Sequence, residues 1–316
     1  MLYRTLLFPA RIFFRFYCRK IVVNNKDILR SSGPLLIAAN HPNSFLDAII
    51  IATLFKKPVY SLARGDVFLN KTVKIILRSL NMLPVYRLSE GAENLEHNYT
   101  TFDSCLEIFK QNGIVLIFSE GRSINEWRLR PLKKGTARLA MAAWQQDIRL
   151  TIIPAGINYN HFRKFGKIIF LNFGNRITKE KITADLSNGK AIVEFNNILK
   201  NELQQLVVEM DSNDEQLKKI FHLHQPVLKK ILLFIPAIMG YILHLPLYVA
   251  IHSYIKNRAE DHYDSIMIGL LFFMYPVYII IIALIIYFIT HSILLSLSAI
   301  ILLPVTAFCA LQNRYA

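Results

Sequence analysis

The chain has 316 residues, 53% of them hydrophobic, and carries 37 Lys and Arg against 22 Asp and Glu for a net charge of +15. A disordered basic tail is excluded by the apolar content, which also argues against a soluble nucleic-acid binder, so no nucleic acid is expected as a partner. Cys18, Cys105 and Cys309 lie far apart with no metal-ligand spacing, which argues against a disulfide scaffold and a zinc module; no metal site is expected.

In chain order, Met1 to Val23 mixes Leu, Phe and Ile with Arg4, Arg11, Arg15, Arg19 and Lys20. That spacing predicts an amphipathic helix in the headgroup plane of a membrane, its arginines reaching phosphates. From about residue 34 to 215 short apolar runs alternate with longer periodic ones. The runs Leu35–Ala39, Val59–Leu62, Met82–Tyr86, Ile114–Phe118, Leu150–Ile157 and Lys167–Phe173 read as strands. Leu46–Leu54, Val67–Leu80, Asn94–Lys110, Gly135–Gln146 and Ala191–Met210 read as helices. This alternation predicts an α/β layer architecture with ligand-binding loops at the strand ends.

From Ile231 onward the only charges are Lys256, Arg258, Arg314, Glu260, Asp261 and Asp264. The first 230 residues therefore hold the entire charge excess, with 34 basic and 19 acidic side chains. Ile266–Ile289 and Ile293–Ala310 are long enough to cross a hydrocarbon core of about 30 Å. Ile231–Ile255 is also long enough, but Pro236, Gly240, His244 and Pro246 leave a kinked span and a re-entrant hairpin both open. His244 and His252 read as sitting at an interface rather than in a proton pathway. The expected division is an interfacial segment at 1–28, a catalytic domain at 29–225 and a helical membrane region at 226–316, with membrane lipids as partners.

Four strand ends carry candidate chemistry. At the first, Asn40-His41-Pro42-Asn43-Ser44-Phe45-Leu46-Asp47, a histidine leaves a buried strand and a carboxylate follows. Imidazole is suited to removing a proton near neutral pH, and a carboxylate on its other nitrogen would fix the tautomer. Ser44-x-x-Asp47 reads equally as a helix capping box. At the second, Pro84-Val85-Tyr86-Arg87, the arginine is suited to bidentate phosphate binding. At the third, Ser119-Glu120-Gly121-Arg122 precedes Arg128, Arg130, Pro131, Leu132, Lys133, Lys134 and Gly135. Glycine permits close backbone approach to a ligand and the cations suit a phosphate; Arg128 and Arg130 read as solvated loop charges. At the fourth, Pro154-Ala155-Gly156-Ile157, the proline is expected at an edge or bulge, shaping a pocket wall.

In this order and beside a membrane anchor, the four blocks resemble the glycerolipid acyltransferase family over roughly residues 30 to 180. The resemblance implies a mixed sheet flanked by helices. It also implies His41 as general base with Asp47 orienting it. Arg87, Glu120, Gly121 and Arg122 are implied at the acceptor's phosphate, with Asn40, Asn43, Ser44, Ser119, Lys133 and Lys134 in support. The expected co-substrate is acyl-CoA or acyl carrier protein, with no bound cofactor, and the acceptor is a glycerol phosphate. A lysophospholipid acceptor, CoA-independent transacylation and a catalytically idle lipid-binding module are the alternatives. Five residues separate His41 from Asp47 where the family's common spacing is four; yeast- and plant-type glycerol-3-phosphate acyltransferases share the longer spacing. On a continuous helix one extra residue rotates a side chain by about 100°. The turn before the helix must therefore absorb it, or Asp47 is only a cap. The catalytic domain is expected on the cytoplasmic face of an integral membrane protein.

Overall fold

The fully buried apolar strand Leu35–Ala39 lies near the middle of a seven-stranded sheet. The computed structural model describes residues 2–86, 97–210, 214–222, 226–256 and 262–313. Strands β1 (Cys18–Val23), β2 (Leu35–Ala39), β3 (Val59–Arg64), β4 (Met82–Val85), β5 (Ile114–Phe118), β6 (Thr151–Tyr159) and β7 (Lys167–Phe173) are ordered β1-β7-β6-β2-β5-β3-β4. β2 is parallel to β5 and β6, and β3 is parallel to β4 and β5. β7 returns along β6 after a short turn, with Asn160 N–H donating to Ile168 and Gly174 N–H to Pro154, so the sheet is mixed.

The chain divides into two units, one of residues 1–8, 22–158 and 170–212 and one of residues 9–21, 159–169 and 213–316. In the first, α2 (Ser44–Leu54) carries the chain from β2 past β5 to β3, and α5 (Gly135–Gln145) carries it from β5 past β2 to β6. Two adjacent parallel strands thus send their connections opposite ways, which right-handed crossovers place on opposite faces of the sheet. Helices α4 (His97–Lys110), α5 and α6 (Gly189–Leu206) share one apolar core with Leu36, Ala38, Val115, Ile117 and Ile152. Between η-turn Gly65–Phe68 and β4 runs α3 (Lys71–Ser79), which buries none of its side chains.

Among the described residues, the second unit holds α1 (Leu2–Tyr17) from Pro9 onward, α7 (Asp214–Ile220), and three helices long and apolar enough to cross a membrane. These are α8 (Val227–Ile255), α9 (Tyr263–Thr290) and α10 (Ile293–Asn313). Neither Pro236 nor Pro246 divides α8, which is one continuous helix and no hairpin. Gly240 allows α10 to come close: a Cβ there would meet the Thr306 carbonyl oxygen at 2.2 Å. His244 and His252 bond Tyr275 and Tyr263 of α9 at 3.0 and 2.6 Å, the interface role expected of them. Also in this unit, Lys167 and Asp264 form a buried ion pair at 2.6 Å. Asp264 accepts a second bond from Tyr17 Oη at 3.0 Å.

Several sequence expectations change: the helix expected over 67–80 begins only at Lys71, after the turn Gly65–Phe68, and the one expected over 191–210 ends at Leu206. The amphipathic helix stops at Tyr17, and residues 18–23 are strand β1, because the β-branched run Ile21-Val22-Val23 favours pleated packing. Pro154 is not at an edge, since β6 has neighbours on both sides. It does lie beside a bulge. Pro154 opposes Gly174 while Ile152 pairs with Ile177, so two steps on β6 match three on the returning chain. The missing N–H falls where β7 has already ended.

Candidate active site

Ala39 of β2 is in register with Phe118 of β5 and with Ala155 of β6, so the residues just beyond them emerge together at the carboxyl edge of the sheet. Ser119 N–H donates to Ala39 O at 2.9 Å and extends the ladder past β5. Asn40 is buried, and its side-chain amide bonds the Ile157 backbone in both directions, accepting at 2.7 Å and donating at 3.1 Å. His41 therefore leaves from a strand end that is hydrogen-bonded to its neighbours on either side.

The His41 ring stacks on Phe118 with centroids 3.7 Å apart and planes 9° from parallel. Its Nδ1 lies 2.9 Å from Oδ2 of the fully buried Asp47. The same oxygen accepts Asn43 N–H at 2.8 Å. A carboxylate oxygen used twice as an acceptor assigns the ring hydrogen to Nδ1 and leaves a lone pair on Nε2. Asp47 thus orients the imidazole and ties down the helix start with one atom. The N-cap position is Asn43, without a side-chain capping bond. The extra residue is absorbed at the first position of α2, where Ser44 takes the left-handed backbone region at φ 49°, in which non-glycine residues are rare.

The loop after β5 holds the loop after β2. Ser123 Oγ accepts Ser44 N–H at 2.6 Å, Asn125 Nδ2 donates to Pro42 O at 2.7 Å, and Ile124 N–H donates to His41 O at 3.3 Å. The buried carboxyl of Glu120 accepts His41 N–H at 3.2 Å with one oxygen and Arg130 N–H at 3.1 Å with the other. Burial raises its pKa from 4.5 to about 7, against the lowering effect of those two bonds. A carboxyl repels phosphate, so Glu120 fits such a site as the clamp that joins the histidine to the basic loop.

Gly121 has φ 69°, a conformation suited to glycine, and its missing Cβ leaves room for Lys133, whose Cγ would stand 3.0 Å away. Ser119 is buried, with Lys133 N–H on its carbonyl at 2.8 Å and Thr136 Oγ1 3.0 Å from its hydroxyl. Arg122, Lys133 and Lys134 are exposed. Tyr86 packs its ring where a Gly65 side chain would be, and Arg64 of β3 is in register with Val85 of β4. Arg87 lies outside the described residues.

The two loop arginines read as solvated differ sharply. The Arg128 side chain is 72% exposed and bonds Glu126 through Nε at 2.8 Å. The Arg130 side chain is 29% exposed and reaches the same Glu126 through Nε at 3.4 Å, while its Nη1 is buried without a hydrogen-bond partner among the described residues. The expectation fails for Arg130 because the Glu120 clamp draws its backbone inward. A buried guanidinium N–H without an acceptor invites an anion. Phe118, Ser123 and Asn125 were also missed, as none carries a charge or stands apart from ordinary strand and loop residues in the sequence.

Residues 20–158 match the family model described as Acyltransferase. Glycerol-3-phosphate O-acyltransferase 2 of Saccharomyces cerevisiae is 30% identical over 110 residues, which are 34% of this chain and 14% of the yeast protein. Glycerol-3-phosphate O-acyltransferase 1 of the same yeast is 31% identical over 109 residues, 32% of this chain and 14% of that protein. Among solved structures, the 1-acyl-sn-glycerophosphate acyltransferase PlsC of Thermotoga maritima aligns with a TM-score of 0.46 at 13% identity, covering 71% of this chain and 83% of that one.

Proposed function

We propose that this chain, whose residues 20–158 match the Acyltransferase family model, is a glycerolipid acyltransferase that moves a fatty acyl group from a thioester to a hydroxyl of glycerol-3-phosphate. The observation that carries the reading is the 2.9 Å contact between His41 Nδ1 and Asp47, with Glu120 tying the same histidine to Arg130. His41 Nε2 takes the alcohol proton as the oxygen attacks the thioester carbonyl. The C–O bond forms, the C–S bond breaks, and the leaving thiolate receives the proton from the imidazolium. Asp47 stabilises the charged ring in between, and the 9° stack on Phe118 keeps its plane. The acceptor's phosphate binds Arg130 Nη1, with Arg122 and Lys133 adding positive charge around it.

The acyl donor is acyl-CoA or acyl carrier protein, and the product enters phospholipid biosynthesis. The three apolar helices hold the protein in the bilayer, with the sheet domain on the cytoplasmic side, where thioester donors are found. Protease should then reach that domain in inverted vesicles and spare it in right-side-out ones; the reverse pattern would refute the placement.

The decisive experiment offers purified protein in nanodiscs one labelled acyl thioester with glycerol-3-phosphate, lysophosphatidate and other lysophospholipids in parallel. Transfer to glycerol-3-phosphate should dominate, and His41→Ala should reduce it by about 10²–10⁴-fold, the usual contribution of a positioned base. Near-normal transfer by a folded His41→Ala protein would overturn the mechanism. Preference for a lysophospholipid would overturn the acceptor.

A further inference from the structure

Helix α3 and its flanks form an amphipathic element whose apolar side is largely exposed among the described residues. Asn70 caps it by accepting the N–H groups of Thr72 and Val73 at 2.9 and 3.2 Å. At about 100° per residue, Val73, Ile76 and the C-cap Leu80 fall in one stripe, while Lys71, Lys74 and Arg78 fall in the opposite one; Leu69 precedes the extended cap residue Asn70 and flanks the helix. In a soluble domain the apolar stripe of such a helix faces the core. Here Leu69 is 76% exposed, Ile76 45% and Val73 38%, while Leu77 and Leu80 are half-buried; Ile75, 70% exposed, lies nearer the basic stripe. Nine residues with β-branched Thr72, Val73, Ile75 and Ile76 form a marginal helix in water.

We propose that α3 is a membrane-docking element, lying in the headgroup plane of an anionic bilayer with Leu69, Val73 and Ile76 among the acyl chains. The choice of occupant rests on charge. Three cations and no carboxylate lie between Lys71 and Ser79, and a phosphate-rich surface is their complement. The same chain carries three helices of membrane-crossing length, so a bilayer is available to it. Position adds a consequence. β3 is parallel to β2 and β5 through its neighbours, so its carboxyl end, from which the chain passes into α3, is at the same sheet edge as His41. Docking through α3 places lipid beside the edge where the proposed base stands. The inference itself does not require acyl transfer.

The test uses the full-length chain in nanodiscs of phosphatidylcholine with or without phosphatidylglycerol. Single variants Leu69→Cys, Ile76→Cys and Lys74→Cys are labelled with an environment-sensitive fluorophore, and the wild-type chain, whose three cysteines are buried, sets the blank. Brominated lipid should quench the labels at 69 and 76 several-fold more than the label at 74, with blue-shifted emission at the first two. Lys71→Glu combined with Arg78→Glu should weaken quenching at 76, most in discs containing phosphatidylglycerol. Equal, water-like emission at all three sites would overturn the proposal. So would shielding at 69 and 76 that ignores brominated lipid and grows with the number of chains per disc, which would assign the face to a second copy. Since the readout is label depth, it stands or fails separately from the acyl-transfer assay.

Discussion

Two buried carboxylates, one in each unit, are built for different ends. Asp47 meets an imidazole and a backbone N–H; Asp264 meets the Lys167 ammonium and the Tyr17 hydroxyl. The Lys167 ammonium spends its remaining hydrogens on the carbonyls of Lys164 at 2.9 Å and His161 at 3.3 Å. With every N–H engaged, it has no valence left for a substrate. His41 donates through one nitrogen and keeps the other, and its side chain is 15% exposed. A buried charge therefore marks construction when its partners are saturated and chemistry when one partner retains a lone pair. Asp264 also sits in the first turn of α9, where the helix dipole favours an anion.

The contrast predicts which measurement each variant moves. Asp47→Asn should lower kcat for acyl transfer by about 10²–10⁴-fold with little change in thermal midpoint; a loss of folding with unaltered kcat in the surviving protein would make Asp47 a cap and nothing more. Asp264→Ala should do the opposite, destabilising by about 3–5 kcal/mol because Lys167 is left charged and buried. Its kcat per folded molecule should hold. Lys167→Met with Asp264→Leu should restore most of that stability, and failure to do so would argue that the pair contributes more than mutual neutralisation.

Glu120 gives a pH signature between these extremes. Its folded pKa of about 7 lies above the ordinary 4.5, so the folded chain holds a proton there that the unfolded chain has released. The associated stability is complete below about pH 4.5 and is lost as pH rises through about 7, on the order of 3 kcal/mol in all. Glu120→Gln removes the titrating group at the cost of one accepted N–H bond, an offset that does not vary with pH. The variant's midpoint, relative to wild type, should climb from pH 4.5 to 7 and then level off; a flat difference would contradict the assignment. The smallest effect separates the two loop arginines. Arg130→Ala should raise KM for the phosphorylated acceptor by roughly 10- to 100-fold, as expected for lost charged hydrogen bonds of about 1.5–3 kcal/mol. Arg128→Ala should leave it near wild type.

Legibility in the sequence followed burial. Leu35–Ala39, Ile114–Phe118 and Lys167–Phe173 are read to the residue, because apolar runs bounded by turn residues and charges have few other fates. Strand β1 was hidden because its Arg19 and Lys20 continue the helical spacing of basic residues before it. His41 and Asp47 could be found from type and order alone. Their 2.9 Å contact could not, since it depends on Ser44 entering the left-handed region, which serine does not advertise. Arg130 was missed for a related reason: its side chain resembles its neighbour's, and only a backbone bond to Glu120 sets it apart. The alternation of α3 was visible as a helix, whereas the openness of its apolar side depends on which surfaces the rest of the domain leaves uncovered.

The Asn40 amide, which gives and takes a bond with Ile157, behaves as a spare peptide unit spliced onto β2 after the strand has ended. The imidazole next to it inherits the stiffness of a pleated ladder rather than the looseness of a surface turn. On the proposed mechanism, a ring mounted this firmly cannot reach for an alcohol; the acceptor must travel to it and settle with its oxygen already in line. Adaptation to new acceptors in relatives of this chain should then accumulate in the basic loop and leave the Asn40 splice untouched.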